Sequence, residues 1–137
     1  MRRHYLIPGN PVPLPRQRFT KTGRSYKPSK YLKVAQYHRV MLRCAHLGPP
    51  VEGPVRVIVD FFHARPQRLK RKKDPAHAVR KPTRPDIDNL VKHVFDCMND
   101  IVFVDDAQVV HLTASDNYCA KGEQPYTTIT ITEVSNA

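Results

Sequence analysis

A chain of 137 residues with 23 Lys and Arg against 12 Asp and Glu has a net charge of +11, with 40% apolar and 26% charged residues. That size fits one domain around one modest core, and no apolar run of about 18 residues is present to span a bilayer. A basic excess on this scale meets a polyanion, and without a basic amphipathic helix bearing a strong apolar face, nucleic acid is favoured over a membrane.

No apolar segment follows Arg2-Arg3, so no secretory signal is expected. Residues 4–8, HYLIP, predict a first strand. A basic, proline-rich turn covers residues 9–27, where Pro11, Pro13 and Pro15 disfavour helix and central strand alike. Ser29 as N-cap opens a predicted helix over 29–47, in which Tyr31, Val34, Ala35, His38, Met41, Leu42 and Ala45 recur at helical spacing and Gly48-Pro49-Pro50 gives the stop. Its other face carries Lys30, Lys33, Arg39 and Arg43, which suits either solvent or a phosphate backbone. Residues 54–63, PVRVIVDFFH, predict a strand from β-branched and aromatic content.

Residues 65–84 form a basic loop without apolar period, expected to be mobile when free. A second helix is predicted over 88–98, with Leu90, Val91, Val94, Phe95 and Met98 as its buried stripe and Asn99 in the left-handed position after it. Residues 101–104, IVFV, predict a short strand, 107–114 another, and 126–134, YTTITITEV, a last strand with one polar face. Strands and helices do not alternate strictly, so the expected class is α+β: one small domain over 1–137, a mixed β-sheet packed with two main helices. Cys44, Cys97 and Cys119 form no C-x-x-C pair, which argues against a disulfide framework or zinc ribbon and for a reducing, cytoplasmic location. The seven histidines show no H-E-x-x-H or finger spacing and read as surface or core residues rather than ligands.

The charge is unevenly spread. Residues 1–46 hold eleven Lys and Arg and no acid, and residues 65–84 hold nine basic residues against Asp74. The sign then reverses, with six aspartates (Asp86, Asp88, Asp96, Asp100, Asp105, Asp106) against Lys92 over residues 86–106. Carboxylates there would repel the phosphates that the basic segments attract, and a cation between carboxylate and phosphate removes that conflict.

In Arg84-Pro85-Asp86-Ile87-Asp88-Asn89-Leu90-Val91-Lys92, Pro85 keeps Arg84 out of the helical region. In an extended entry residues two apart point the same way, so Asp86 and Asp88 can converge. Lys92 follows Asp88 by one turn on the same face, and Asp105 or Asp106 can return to the start of this helix. Two carboxylates about 4 Å apart repel by about 4 kcal/mol at an effective dielectric of about 20. A divalent cation reverses that sign, and an all-oxygen set selects hard Mg²⁺ or Mn²⁺. The plainer reading is that Asp88 only caps a helix, Lys92 pairs with Asp96, and Asp105-Asp106 form a turn. Leu90 and Val91 exclude an EF-hand, and no G-x-x-x-x-G-K is present for a P-loop.

RPDIDNLVKHVFDCMND followed by VFVDDAQVV resembles the signature of the RusA family of Holliday junction resolvases, D-x-D-N-hydrophobic-x-K on a helix and then a strand ending in D-D-x-Q-V. IPGNPVPLPRQRF likewise resembles the family's N-terminal strand and basic turn, although Pro85 stands where the family has a basic residue. The resemblance implies a homodimer, encoded by bacteria or prophages, that nicks four-way DNA junctions symmetrically in recombination and repair with Mg²⁺, or Mn²⁺ in its place. It places the catalytic, metal-binding aspartates at Asp86, Asp88 and Asp106, with Asp105 the alternative to Asp106, and the functional lysine at Lys92. DNA contacts are expected from Arg16, Arg18 and Lys21, and from Arg65, Arg68, Lys70, Arg71, Lys72, Lys73, Arg80, Lys81 and Arg84. No small-molecule cofactor or membrane partner is expected. The competing readings are a non-catalytic phage DNA-binding protein and a metal nuclease for other branched DNA or RNA. Strand 54–63, with Phe61 and Phe62 on opposite faces, is the candidate dimer interface.

Overall fold

Val55, Val57, Val59 and Phe61 occupy alternate positions, which in an extended chain puts all four on one face, and all four are buried. They belong to the central strand of a computed structural model that describes residues 1–16 and 18–135, Arg18 without its side chain. The elements in order are β1 (Arg2–Pro8), β2 (Arg18–Phe19), β3 (Ser25–Tyr26), α1 (Ser29–Ala45), β4 (Val55–His63), β5 (Val79–Arg80), α2 (Ile87–Met98), β6 (Val109–Tyr118) and β7 (Tyr126–Glu133). The main sheet runs β1-β7-β4-β6-β5, and β2 pairs with β3 in a separate hairpin within the basic turn. β4 and β6 are parallel while β1–β7, β4–β7 and β5–β6 are antiparallel, so the sheet is mixed. A parallel pair needs a long crossover, and α2 lies within it.

The core joins the inward residues of β4 to Tyr5 and Ile7 of β1, Ile129 and Ile131 of β7, Leu42 of α1, and Leu90, Val91, Val94, Cys97 and Met98 of α2. On the other face Phe62 stacks on Tyr126 with centroids 4.5 Å apart. The α+β expectation of a mixed sheet with two helices therefore holds. Among the described residues no helix is long and apolar enough to cross a membrane.

Several boundaries differ. Pro28, not Ser29, occupies the N-cap of α1, and no side chain caps it. The left-handed residue after α2 is Asp100 (φ 64°), whereas Asn99 has φ −58°. Residues 101–104 are not a strand: the N–H groups of Ile101 and Val102 donate back to Met98 O at 3.1 and 2.9 Å, and Phe103 makes only isolated bridges to Val51 and Asn99. A run this short satisfies its backbone by turning, while Ile101, Val102 and Phe103 stay buried as a plug at the end of the core. Phe103→Ala should cost about 3–5 kcal/mol of stability, measured as a lowered denaturant midpoint with unchanged slope. Strand 54–63 cannot offer an edge to a second chain, because β6 and β7 occupy both sides of β4.

Candidate functional site

The last turn of the crossover before α2 is held by a buried polar group. Asp116 follows Leu112 and Ala114 on alternate residues of β6, opposite Phe61 in the register, which places it on the helix-covered face. His63 Nε2 donates to Asp116 Oδ1 at 2.7 Å, and Lys81 Nζ stands 4.0 Å from Oδ2. Burial pushes the His63 imidazole below its usual value, against the opposing pull of the Asp116 carboxylate. The Lys81 ammonium also donates to Thr83 O at 2.9 Å and Arg84 O at 2.7 Å. One buried cation thus ties the sheet to the carbonyls just ahead of Asp86. Asp86 itself is extended (φ −69°, ψ 144°) at the N-cap of α2. Lys81, Thr83, Arg84, Asp86, Ile87 and Asp116 line an open hollow of about 470 Å³.

Asp86 stands at the cap position, yet its carboxylate accepts no cap hydrogen bond. Asp88, exposed in the first turn, accepts from its neighbour's Asn89 N–H at 2.9 Å. Lys92 is exposed one turn on. The i,i+4 pair it would form with Asp96 is not made, because Asp96 pairs with Lys27 of the basic turn at 3.8 Å. Asp105 and Asp106 separate by role. Asp105 caps the 3-10 turn Asp106–Gln108, accepting from Ala107 N–H at 2.9 Å while Gln108 Oε1 accepts from the Asp105 N–H at 2.9 Å. Gln108 also donates to Val51 O and Gly53 O, both at 2.8 Å, fixing this turn at the start of β6. Asp105 is therefore committed to the turn, and Asp106, half-exposed beside it, is the freer carboxylate.

The expected convergence is incomplete. Asp86 shares its hollow with Asp116, whereas Asp106 lies at the opposite end of β6 from Asp116. Among the described residues, Asp86, Asp88 and Asp106 do not form a group with ligand oxygens within 4.8 Å of one another. The donor set still fits a hard divalent cation: all-oxygen, and with no member of Asp86, Asp88 or Asp106 used in an ion pair among the described residues.

Sequence reasoning missed Asp116 and His63. The alternation Leu112-Ala114-Asp116 carried the signal, but the expected strand stopped at 114.

The basic surface divides in the same way. Arg65 is buried, with Nε donating to Cys119 O at 3.1 Å and its guanidinium to Leu69, Pro75 and His77 carbonyls at 3.0, 2.7 and 2.7 Å. Arg65 and Lys81 are thus corrected from expected DNA contacts to internal ties, because a buried cation must spend its donors on nearby acceptors. They also give the 65–84 loop structure of its own, a 3-10 turn at Gln67–Leu69 and the strand β5. Arg68, Lys70, Arg71, Lys72, Lys73, Arg80 and Arg84 remain exposed, as do Arg16 and Lys21. Leu14 N–H donates to Asn89 O at 3.0 Å, docking the connector onto the first turn of α2. The Arg18 side chain lies outside the described residues. On α1, Arg39 donates to Asp96 O at 2.9 Å and Asn99 O at 3.4 Å, capping the end of α2 rather than facing solvent.

The family described as Endodeoxyribonuclease RusA matches residues 8–132, from the end of β1 into β7. The chain belongs to the RusA family. A Bacillus subtilis (strain 168) protein described as "Uncharacterized protein YqaN" is similar to it, 36% identical over 112 residues that cover 78% of this chain and 75% of that protein. Membership in the RusA endodeoxyribonuclease family supports nuclease activity. The matched span includes the Asp86–Asp88 entry, Lys92 and the 3-10 turn that opens β6.

Proposed function

We propose that this RusA-family chain is a Mg²⁺-dependent endodeoxyribonuclease that resolves four-way DNA junctions by paired symmetric nicks, acting as a homodimer. The observation that carries this reading is the exposed Asp86–Asp88–Lys92 entry of α2, with the basic connector hydrogen-bonded to that same turn. Asp86, Asp88 and Asp106 would hold the ion. When bound, Mg²⁺ supplies Lewis acidity at the scissile phosphate and makes a water more acidic. Lys92 places a positive charge one turn from Asp88, where it can neutralise charge developing on the phosphate. Lys81, braced by Asp116, fixes the backbone from which Asp86 projects. The exposed arginines and lysines hold phosphates, which sets position rather than sequence preference.

Incubation with a synthetic four-way junction and a matched linear duplex, with Mg²⁺ and with EDTA, tests the reading. Nicks in the junction alone, and only with the metal, are expected. Binding without cleavage under every metal condition would favour the non-catalytic DNA-binding reading. Lys92→Ala should lower the single-turnover cleavage rate more than junction affinity; an equal fall in both would make Lys92 a contact residue.

Paired cuts in a two-fold junction call for two sites related by the same symmetry. β1 forms one edge of the sheet, and the other is β6 ahead of Asn117, since β5 pairs only with Asn117 and Tyr118. Val110 and Leu112 on that β6 edge are 62% and 42% exposed. Edge-to-edge pairing there would cover unpaired backbone groups and apolar side chains together. Val110→Asp combined with Leu112→Asp should shift sedimentation from dimer to monomer and replace paired cuts by single nicks. Unaltered sedimentation would place the interface elsewhere.

A further inference from the structure

Away from the carboxylates, α1 and α2 meet over a polar cluster. His38 of α1 and His93 and Cys97 of α2 are 5%, 2% and 2% exposed. His93 and Cys97 are spaced i,i+4, hence neighbours on one helix face. His38 Nδ1 is 2.8 Å from His93 Nε2, Cys97 Sγ is 3.6 Å from the same Nε2, and the three ligand atoms all lie within 4.8 Å of one another. Tyr31 Oη is 2.7 Å from the other ring nitrogen, His93 Nδ1. Burial pushes Cys97 up to about 12 and His93 down to about 4, so both are neutral at ordinary pH. Polar groups buried between packed helices need partners, and three apolar side chains would be less costly here.

We propose that His38 Nδ1, His93 Nε2 and Cys97 Sγ form a binding site for a borderline-soft divalent cation, Zn²⁺ foremost, that ties α1 to α2. Zn–N bonds of about 2.0–2.1 Å and a Zn–S bond of about 2.3 Å in a tetrahedron set ligand separations of about 3.5 Å for N···S and about 3.3 Å for N···N. The 3.6 Å separation of Nε2 and Sγ already matches. His38 Nδ1, at 2.8 Å from His93 Nε2, needs to withdraw by about 0.5 Å. Tyr31 Oη can then accept from the His93 Nδ1–H, which fixes the tautomer with Nε2 free to ligate, the role that partners of metal-bound histidines commonly play. Nitrogen and sulfur donors set this site apart from the all-oxygen aspartate set. Ion uptake displaces the Cys97 thiol proton to solvent, so binding releases a proton. The histidines read as core residues in the sequence because His38 comes from α1 and only the i,i+4 pair His93 and Cys97 is local.

The test does not depend on junction cleavage. The full chain with Cys44→Ser, which removes the exposed thiol, is stripped with chelator and titrated with Co²⁺. One equivalent should bind with intense visible d–d bands and a near-ultraviolet thiolate-to-cobalt band; Co²⁺ held by aspartates would give only weak d–d bands and no thiolate band. Zn²⁺ should bleach these bands and raise Tm. Cys97→Ala and, separately, His38→Gln should lose the thiolate band and the Zn²⁺-induced rise in Tm while keeping the far-ultraviolet dichroism. Tyr31→Phe should weaken Zn²⁺ binding by roughly 10–100-fold. Absence of the thiolate band in the Cys44→Ser chain, or its survival in Cys97→Ala, would overturn the proposal and leave the cluster as a hydrogen-bonded relay.

Discussion

Asp88→Asn should abolish junction cleavage, by roughly 10³-fold or more, the scale of losing a group that acts directly on developing charge, while junction binding survives. Asp88 is exposed, and its one structural task is to accept the Asn89 N–H at 2.9 Å. The amide oxygen of asparagine performs that task equally well, so the fold of α2 is preserved and only a charge is lost. That charge is what a divalent cation requires. Asp100→Asn is the control: Asp100 lies past the far end of α2 at φ 64°, a conformation asparagine tolerates, so this change should be nearly silent. Single-turnover cleavage of a labelled junction, with binding measured in EDTA, separates the two roles. Cleavage by Asp88→Asn at the wild-type rate would sink the carboxylate site.

The second large effect is on affinity. Exposed cations at Arg16 and Lys21 and along Arg68, Lys70, Arg71, Lys72 and Lys73 present a surface suited to backbone phosphates. If about 6–10 phosphates are engaged, affinity should fall by roughly 10³–10⁵ between about 50 and about 200 mM salt. Replacing Lys70, Arg71, Lys72 and Lys73 together with neutral residues should flatten the slope of log affinity against log salt. Arg71 is already partly committed to Asp74 at 3.4 Å, so its single replacement should flatten the slope least. The buried Arg65 and Lys81 should behave differently, because replacing either leaves carbonyls without donors and lowers stability as well as affinity. A quadruple variant with an unaltered slope would show that the loop is only solvated.

Periodicity and composition in the sequence marked both main helices and the strands β1, β4 and β7. Leu90, Val91, Val94 and Met98 at helical spacing, and Val55, Val57, Val59 and Phe61 at alternate positions, each describe a face that has to be buried, and the chain buries both. The D-x-D-N-L-V-K run was legible for the same reason: its members lie within two turns of one helix, where spacing alone sets direction. IVFV at 101–104 was legible as buried but not as turned, because burial depends on composition whereas turning depends on Asp100 and the acceptor at Met98 O.

Only the tertiary structure decided contacts between residues distant in sequence. It pinned the turn that Asp105 caps to Val51 and Gly53 through Gln108. It recruited Asp116 and His63 to the entry of α2, and turned Arg65 and Lys81 from surface cations into internal ties. It also brought His38 to His93 and Cys97 across two helices. The reason is physical: a local pattern specifies which way a side chain points from its own backbone, whereas the partner that meets it is set by strand order and register. The order β1-β7-β4-β6-β5 pairs β4 with β6 in parallel across the α2 crossover, and no local spacing encodes that pairing.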